Sequence, residues 1–347
     1  MQTLRRVLVM IESVGKVLKL AEHHREISPP TISASAAGAG ALLVAWRDVR
    51  AEDYPTRPVR FVVGFPGGSA TDIVARLIAQ SLSERFGQQF IVDNRPGAAS
   101  NIAAEVVVRA IPDGYTLLQV APPNAINATL YDKLSFNFIH DIAPVTGIVR
   151  YPYVMLVNSS FPTKTVPEFI AYAKANPGKI NMASAGNGSV PHVVGELFKM
   201  MTGVEMLHVP YRGSYFSDLL GGQVQVVFSP LPSAIGYIRA GTLRALAVTT
   251  ATRSDALPEI PTVGDFVPGY EASSWQGVGA PESTPAKIID KLNREINSVV
   301  ADPKMKARLA DLGGTPVGGS PADFGKLISD ETEKWAKVVK FAGIKPE

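Results

Sequence analysis

The chain has 347 residues, which at roughly 150 residues per domain predicts about two compact units, and its 46% hydrophobic content excludes disorder over most of the length. Lys and Arg number 34 against 31 Asp and Glu, and a net charge of +3 is too small for the concentrated basic face of a nucleic-acid-binding protein. The absence of cysteine excludes disulfides, thiolate metal sites and cysteine nucleophiles.

Residues 1–53 differ from the rest and are interpreted as an N-terminal extension that contains an export signal. Residues 31–46 are small and apolar without charge, and this run is shorter than the roughly 20 residues needed to cross a bilayer. It has the length of the apolar region of a secretory signal, and Val49 and Ala51 are small residues suitably placed for cleavage after Ala51. Residues 31–51 therefore predict export. The alternative is a cytoplasmic protein with an unusual N-terminal helix.

From Tyr54 onward, strand-like and helix-like runs alternate and short loops join them. Residues 59–65 form an apolar run of strand length, and residues 69–86 have helical spacing. The core stripe expected for this helix is Ile73, Leu77, Ile78 and Leu82. The next predicted elements are strand 90–93, helix 101–110, strand 115–120 and an extended stretch at 142–158. This alternation predicts an α/β domain with a mainly parallel sheet.

The same alternation resumes in the second half, where Thr165 and Glu168 have the spacing of a helix capping box. Predicted strands are 181–184, 206–210, 224–229 and 243–249, and predicted helices are 165–174, 190–202, 214–220, 233–240, 284–300 and 320–340. Extended segments near 148–157 and 274–280 join the two halves. We therefore expect two lobes, 54–150 plus 276–347 and 151–275, with a ligand site in the crevice between them.

Two glycine-rich loops, 64–72 and 184–189, lie at strand-to-helix junctions, one in each half. A glycine-rich turn that opens a helix leaves backbone N–H groups unpaired at the positive end of the helix dipole, which favours an anion. Two such loops facing one crevice would suit a small anion, or a diacid held at both ends. The alternative is structural, because Ser69 and Asp72 also fit a capping box and Gly67 and Gly68 fit a tight turn.

Signals for an enzyme are weak. Loop 184–189 lacks the G-x-S-x-G nucleophile elbow and neither loop matches G-x-G-x-x-G, so we expect no catalytic residue and no cofactor. His192 follows Ser189 by three positions, and we interpret it as capping the helix or contacting ligand rather than as a catalytic base. No histidine pair or carboxylate cluster has the spacing of a metal site. Arg95 and Arg212 could pair with an anion, but salt bridges are the more frequent use of such arginines.

Short strings spread over residues 54–347 resemble the periplasmic solute receptors of tripartite tricarboxylate transporters, often called Bug receptors. Each string is short, but their order and spacing together are specific. They are YPTRP at 54–58, FPGGSATD at 65–72, DNRPGA at 93–98, PDGYTLL at 112–118, ASAGNGS at 183–189, His192, HVPYRG at 208–213, LAVT at 246–249, PT at 261–262 and WQG at 275–277.

The resemblance implies a type II periplasmic binding-protein fold, in which two lobes close like a Venus flytrap about a hinge of two crossing segments. It implies that loop 65–72 holds a ligand carboxylate through main-chain groups and ordered water, that loop 184–189 contributes from the other lobe, and that residues 100–101 and 211–213 line the same cleft. The expected ligand-binding residues are Phe65, Gly67, Gly68, Ser69, Ala70, Thr71, Asp72, Ser100, Asn101, Ser184, Gly186, Gly188, Ser189, His192, Tyr211 and Arg212.

The function so implied is that of a monomeric periplasmic receptor, which delivers a small carboxylate to the integral membrane permease subunits of a tripartite transporter. Two positions depart from the family pattern. Ser69 stands where members often have a second glycine, and Ser229 and Pro230 stand where many have an acidic residue, which weakens the case for a ligand with an amino group. The alternatives are a sensory receptor for a membrane kinase and an enzyme on the same fold that uses His192 or Asp72.

Overall fold

The structure is a computed structural model that describes residues 54–131 and 133–346. The export signal predicted at residues 31–51 lies outside these residues. Within them, no helix has both the length and the apolar character that a bilayer span requires.

Strands and helices alternate along the chain. The strands are β1 Val59–Val63, β2 Phe90–Asn94, β3 Thr116–Val120, β4 Ile142–Asn158, β5 Asn181–Ser184, β6 Leu207–Pro210, β7 Val226–Pro230, β8 Leu243–Val248, β9 Ser273–Pro281 and β10 Thr315–Gly318. The α-helices are α1 Ala70–Phe86, α2 Asn101–Val108, α3 Pro122–Leu130, α4 Phe138–Asp141, α5 Val166–Ala175, α6 Val190–Thr202, α7 Phe216–Gly221, α8 Leu231–Arg239, α9 Ala286–Ala301, α10 Pro303–Asp311 and α11 Pro321–Ala342.

The strands are hydrogen-bonded in the order β2-β1-β3-β9-β4-β7-β5-β6, and β8 and β10 also pair with β4. In the first half, β1 is parallel to β2 and β3; in the second, β5 is parallel to β6 and β7. The long strand β4 runs from one parallel set into the other and pairs antiparallel with β9. The prediction of a two-lobed α/β fold with two connecting segments is therefore confirmed, and those segments are β4 and β9.

Hydrophobic side chains hold the sheet to its helices in three clusters. One packs α1 and α9 against β1, around Ile78 and Leu292. A second surrounds Leu219 and Leu231 in the other half. The third contains buried residues from α2, α3, α6 and α11, including Trp335, and so joins helices from both halves. Because this cluster and β4 are shared between the halves, the described residues form one compact unit.

Helix α1 corrects one detail of the sequence analysis. Ile73 was expected in the core but is 38% exposed, whereas Val74, Ile78 and Leu82 are almost fully buried. These three residues follow one another at intervals of four and so lie on one face of the helix. The buried face therefore begins at Val74 and not at Ile73.

Helix α10 was not predicted from the sequence. Asp302 caps it by accepting hydrogen bonds from the N–H groups of Lys304 and Met305.

Candidate functional site

A cavity of about 190 Å³ lies where strands β4 and β9 cross between the lobes. Both lobes contribute to its wall. The lining residues are Phe65, Ala70, Thr71, Ala121, Pro122, Pro123, Tyr151, Tyr153, Val190, Pro230, Pro232, Ser233 and Ser274. No charged side chain among the described residues lines it. We call this cavity the cleft.

Four helices begin at the cleft. Ala70 opens the 17-residue helix α1, Pro122 the 9-residue α3 and Val190 the 13-residue α6, while Pro230 precedes the 9-residue α8. Each helix N-terminus carries a partial positive charge from the aligned peptide dipoles. The cleft is therefore electropositive, and the backbone rather than any cationic side chain supplies this potential.

The start of α1 also offers free hydrogen-bond donors. The first N–H groups of a helix have no partner in a preceding turn. Here Ser69 satisfies one of them, because its Oγ accepts from Asp72 N at 3.2 Å; its carbonyl accepts the first regular bond of the helix, from Ile73 N at 2.9 Å. The N–H groups of Ala70 and Thr71 remain, and both residues line the cleft. This pair can bind one oxygen-bearing anionic group.

Asp72 stabilises the conformation of the first glycine-rich loop, residues 64–72. Its side chain is only 2% exposed and accepts hydrogen bonds from Gly68 N at 2.8 Å, Asn94 Nδ2 at 2.8 Å and Arg76 Nε at 2.9 Å. Burial raises the pKa of this carboxyl, but the hydrogen bonds from Arg76, Gly68 and Asn94 outweigh burial, so the pKa lies below its usual value. Asp72 fixes the loop conformation and does not line the cleft.

Ser100 and Asn101 brace the same loop and the start of α3. Ser100 is fully buried with φ of +77°, and a Cβ at Gly64 would lie 1.9 Å from its Oγ, so the close approach requires glycine. Asn101 Oδ1 accepts a hydrogen bond from Asn127 Nδ2 of α3 at 2.9 Å. Both predicted residues thus lie behind the wall of the cleft rather than on it.

The second glycine-rich loop reaches the cleft at Val190, directly after Ser189. Its conformation is set by its own polar groups: Ser184 Oγ accepts from Gly186 N at 3.2 Å, and Ser189 Oγ donates to the Gly186 carbonyl at 2.7 Å. Because Ser189 donates to a carbonyl, it is not paired with His192 as a nucleophile would be with its base. Glycine suits position 188, whose φ is +69°.

His192 has the capping role that the sequence allowed. Its Nδ1 accepts a hydrogen bond from Gly188 N at 3.1 Å. Its ring stacks on that of His208, with centroids 3.5 Å apart, and His208 Nε2 lies 2.6 Å from Ser184 Oγ. Burial lowers the pKa of His208 to about 4, and the neighbouring His192 lowers it further. His208 is therefore neutral near pH 7.

His192 and His208 line a different and larger cavity of about 980 Å³. Its wall includes the ion pair between Glu196 and Lys199, whose Oε1 and Nζ are 2.8 Å apart, and the chain end at residues 341–346. The structure thus separates His192 from the predicted residues at the cleft. Its role as a ligand contact stays a prediction.

The other predicted residues also lie outside the cleft wall. The Tyr211 hydroxyl donates to Asp218 Oδ2 at 2.6 Å, and Arg212 is exposed to solvent. Of the residues predicted to bind ligand, those on the wall are Phe65, Ala70 and Thr71; the rest, Gly67, Gly68, Ser69, Asp72, Ser100, Asn101, Ser184, Gly186, Gly188, Ser189, His192, Tyr211 and Arg212, are not. The described residues contain no group of acidic, histidine or cysteine side chains that could hold a metal ion.

The sequence analysis missed the strand residues at the cleft, Tyr151, Tyr153 and Ser274, and the starts of α3 and α8. The tyrosines belong to a continuous run of buried residues in β4, and such a run predicts a strand in the hydrophobic core rather than a binding site. Pro122 and Pro123 are a signal that could have been used, because proline favours the first turn of a helix.

Two lobes connected by two strands, with helix N-termini converging on a small cleft between them, define the class of solute-binding receptors. The family model described as "Tripartite tricarboxylate transporter family receptor" matches residues 74–344. The chain belongs to this family.

Individual relatives agree with this assignment. The protein BugT of Bordetella pertussis is 36% identical over 302 residues, which cover 86% of this chain and 93% of BugT. The solved structure of Rpa4515 from R. palustris with adipate is 40% identical with a TM-score of 0.74, and covers 85% of this chain and 100% of that one. MatC from Rhodopseudomonas palustris, solved with bound malate, is 30% identical with a TM-score of 0.70, and covers 82% of this chain and 100% of MatC.

Proposed function

We propose that this protein is a periplasmic receptor that closes its two lobes on a small carboxylate and delivers it to the membrane subunits of a tripartite tricarboxylate-type transporter. The observation that carries the proposal is the convergence of four helix N-termini on a cleft without a charged side chain. Such a cleft attracts an anion and binds it by backbone donors.

The size of the cleft limits the solute. Its 190 Å³ is below the roughly 300–1,000 Å³ of pockets for drug-sized ligands. At about 30 Å³ per water molecule, it corresponds to about six waters. A short-chain organic acid fits this volume, whereas a nucleotide or a sugar phosphate would be too large.

The relatives support the same class of solute, because one was solved with adipate and another with malate. Both ligands are small aliphatic carboxylates. Membership of the receptor family supports export and the permease partner. The lobe boundaries proposed from the sequence, 54–150 plus 276–347 and 151–275, place the two glycine-rich loops on opposite sides of the cleft.

Thermal unfolding with a panel of small carboxylates tests the proposal. A ligand that binds only the folded state stabilises it by about 2.7 kcal/mol at one hundred times its Kd. We expect at least one linear or aromatic carboxylate to raise the melting temperature, and the uncharged primary amide of the same acid to leave it unchanged. A panel in which no carboxylate shifts the transition would contradict the proposal. Co-purification with the permease subunits in membranes, dependent on the bound carboxylate, tests the transport role.

A further inference from the structure

The second glycine-rich loop, residues 184–189, lies where the two halves of the chain meet. Its Gly188 packs against Leu130 at the end of α3, because a Cβ at position 188 would come within 2.4 Å of Leu130 Cδ2. The loop leads directly into Val190, which lines the cleft. A movement of this loop would therefore change both the packing between the halves and the wall of the cleft.

One side chain outside the loop binds the backbone N–H of Gly188. The acceptor is Nδ1 of His192, at 3.1 Å, and this histidine is 5% exposed. A ring nitrogen that accepts carries no proton, so the proton of the neutral ring is on Nε2, which faces Glu196 Oε1 at 3.6 Å. The contact therefore sets the tautomer of His192 and the position of Gly188 together.

A proton added to His192 would remove this acceptor. An imidazolium ring carries a proton on each nitrogen and can only donate. The N–H of Gly188 and the new Nδ1–H of His192 would then point at each other. The hydrogen bond cannot persist in that state, so either the ring or the loop has to move.

The ring is the more firmly held of the two. It stacks on His208, with the centroids 3.5 Å apart and the planes only 6° from parallel. His208 is itself held at the end of β5, where its Nε2 lies 2.6 Å from the Oγ of the fully buried Ser184. His192 is thus contacted by His208 on its face and by Glu196 at its edge. The loop, with glycine at positions 186 and 188, is the part that yields.

The charges around the two rings favour a proton on His192. Burial raises the pKa of the Glu196 carboxyl, but the neighbouring His192 and Lys199 outweigh burial and hold that pKa below its usual value. Glu196 therefore stays ionised next to His192, and it also pairs with Lys199. Burial lowers the pKa of His208 to about 4, so His208 stays neutral in mild acid.

Protons reach the two rings from the side away from the cleft. Both rings line the larger cavity of about 980 Å³, which we call the outer cavity. Besides Glu196 and Lys199, the charged residues among the described ones that line the outer cavity are Glu205, before β6, and Lys345, at the chain end. These two have opposite charges, so they do not change the sign of the field at His192.

From this arrangement we infer that His192 is a positioning residue for solute binding: its neutral ring holds loop 184–189 in the binding conformation, and its protonation in mild acid releases the loop and weakens the binding of the solute. The effect on the loop is a property of the protein without solute. The effect on binding rests on the proposed function, since it assumes a solute in the cleft.

Residue-resolved amide hydrogen exchange on the whole protein, without added solute, tests the effect on the loop. The readout is the protection factor of the Gly188 amide, which corrects for the intrinsic pH dependence of exchange. Measurements at pH 7 and about pH 5 span the ordinary histidine pKa of about 6.5. We expect the protection factor to fall by about tenfold or more in acid, as the loss of one hydrogen bond predicts.

His192→Asn and His192→Leu form a matched pair of variants. Asparagine places an oxygen near the position of Nδ1 and does not titrate, whereas leucine offers no acceptor. We expect His192→Asn to restore the protection of Gly188 at pH 7 and to keep it in acid, and His192→Leu to show low protection at both pH values. His140→Asn is the control, because this exposed histidine of α4 lines neither cavity. It should keep the wild-type pH profile.

Calorimetry with adipate, malate and benzoate as probes tests the effect on binding. Between pH 7 and about pH 5, the affinity of the wild type for a probe should fall about tenfold more than the affinity of His192→Asn. This comparison removes the effect of protonating the probe itself, which is the same for both proteins. Circular dichroism at both pH values shows whether each variant is folded, and if His192→Leu does not fold, His192→Asn alone decides.

An equal fall of Gly188 protection in the wild type and His192→Asn would overturn the inference. So would wild-type protection in a folded His192→Leu variant, because the hydrogen bond would then not hold the loop. If a probe binds and its affinity falls equally in the wild type and His192→Asn, the inference fails while the proposed function stands. If no probe binds at either pH, the link to binding is overturned, and the broader carboxylate panel decides the proposed function separately.

Discussion

Replacing Ala70 with proline would remove one backbone donor from the cleft and little else. Ala70 is the first residue of α1, a position that favours proline because its N–H has no partner within the helix. Ser69 has φ of −68° and ψ of 160°, an extended conformation that a following proline accepts. Helices α3, α6 and α8 of this chain already have proline in their first turn.

The expected effect on folding is therefore small. Proline at a compatible position stabilises a protein by about 0.4–1 kcal/mol, because it restricts the unfolded chain. The expected effect on binding is large, since a hydrogen bond to a charged group contributes about 1.5–3 kcal/mol. The Ala70→Pro variant should thus melt at or slightly above the wild-type temperature and bind its carboxylate about ten- to hundredfold more weakly.

Titration calorimetry at pH 7 measures this loss, and the Ala70→Val variant is its control. Valine adds comparable bulk at the same point of the cleft but keeps the N–H group. If Ala70→Pro bound carboxylate as well as the wild type, the N–H of Ala70 would not be a ligand donor. If Ala70→Val lost as much affinity as Ala70→Pro, bulk rather than the missing donor would explain the loss. Either result would refute the reasoning from free helix N–H groups.

Two further predictions concern stability. Gly64→Ala should lower the free energy of unfolding by about 1–3 kcal/mol in urea titrations, because the new Cβ would lie 2.8 Å from the Ser100 Cα. Gly213→Ala, where nothing lies within 4 Å, is the control and should stay within about 0.5 kcal/mol of wild type; equal losses would contradict the steric explanation. His208 has a pKa of about 4 when folded against 6.5 when unfolded, so the unfolded chain binds its proton more readily and stability falls as the pH drops from 6.5 to 4. Between pH 6.5 and pH 4, the melting temperature of His208→Gln should therefore fall by less than that of the wild type. If the melting temperatures of the two proteins fell equally with pH, His208 would not titrate as described.

Local patterns in the sequence were sufficient to predict the part of the cleft wall at the start of α1. The change from an apolar strand to glycines and then to helical spacing predicts the β1–α1 junction, and Ala70 and Thr71 follow from it. The same reasoning at residues 184–189 predicts a second junction, which reaches the cleft at Val190. In both places a short stretch of chain carries all the necessary information, because the turn and the helix start are adjacent.

The part of the cleft wall that strands β4 and β9 contribute could not be predicted in this way. Tyr151 and Ser274 become neighbours only when β4 pairs with β9, across more than a hundred residues of chain. Within β4 the tyrosines are part of an almost continuous buried strand, so periodicity assigns them to the core. His192 was predicted either to cap its helix or to contact ligand. Its Nδ1 accepts a hydrogen bond from Gly188 N and its ring stacks on His208, which agrees with capping, while a ligand contact stays a prediction.

The position of Asp72 explains how an anion site tolerates a carboxylate in the first turn of α1. A free negative charge next to Ala70 and Thr71 would repel a carboxylate ligand. Arg76, four residues later, balances that charge, with Nε 2.9 Å from Asp72 Oδ2. The solute then experiences helix dipoles and N–H donors with no net side-chain charge, and these treat all carboxylates alike. Discrimination among carboxylates must therefore come from groups that are not backbone, and the polar side chains that line this cleft are those of Thr71, Tyr151, Tyr153, Ser233 and Ser274.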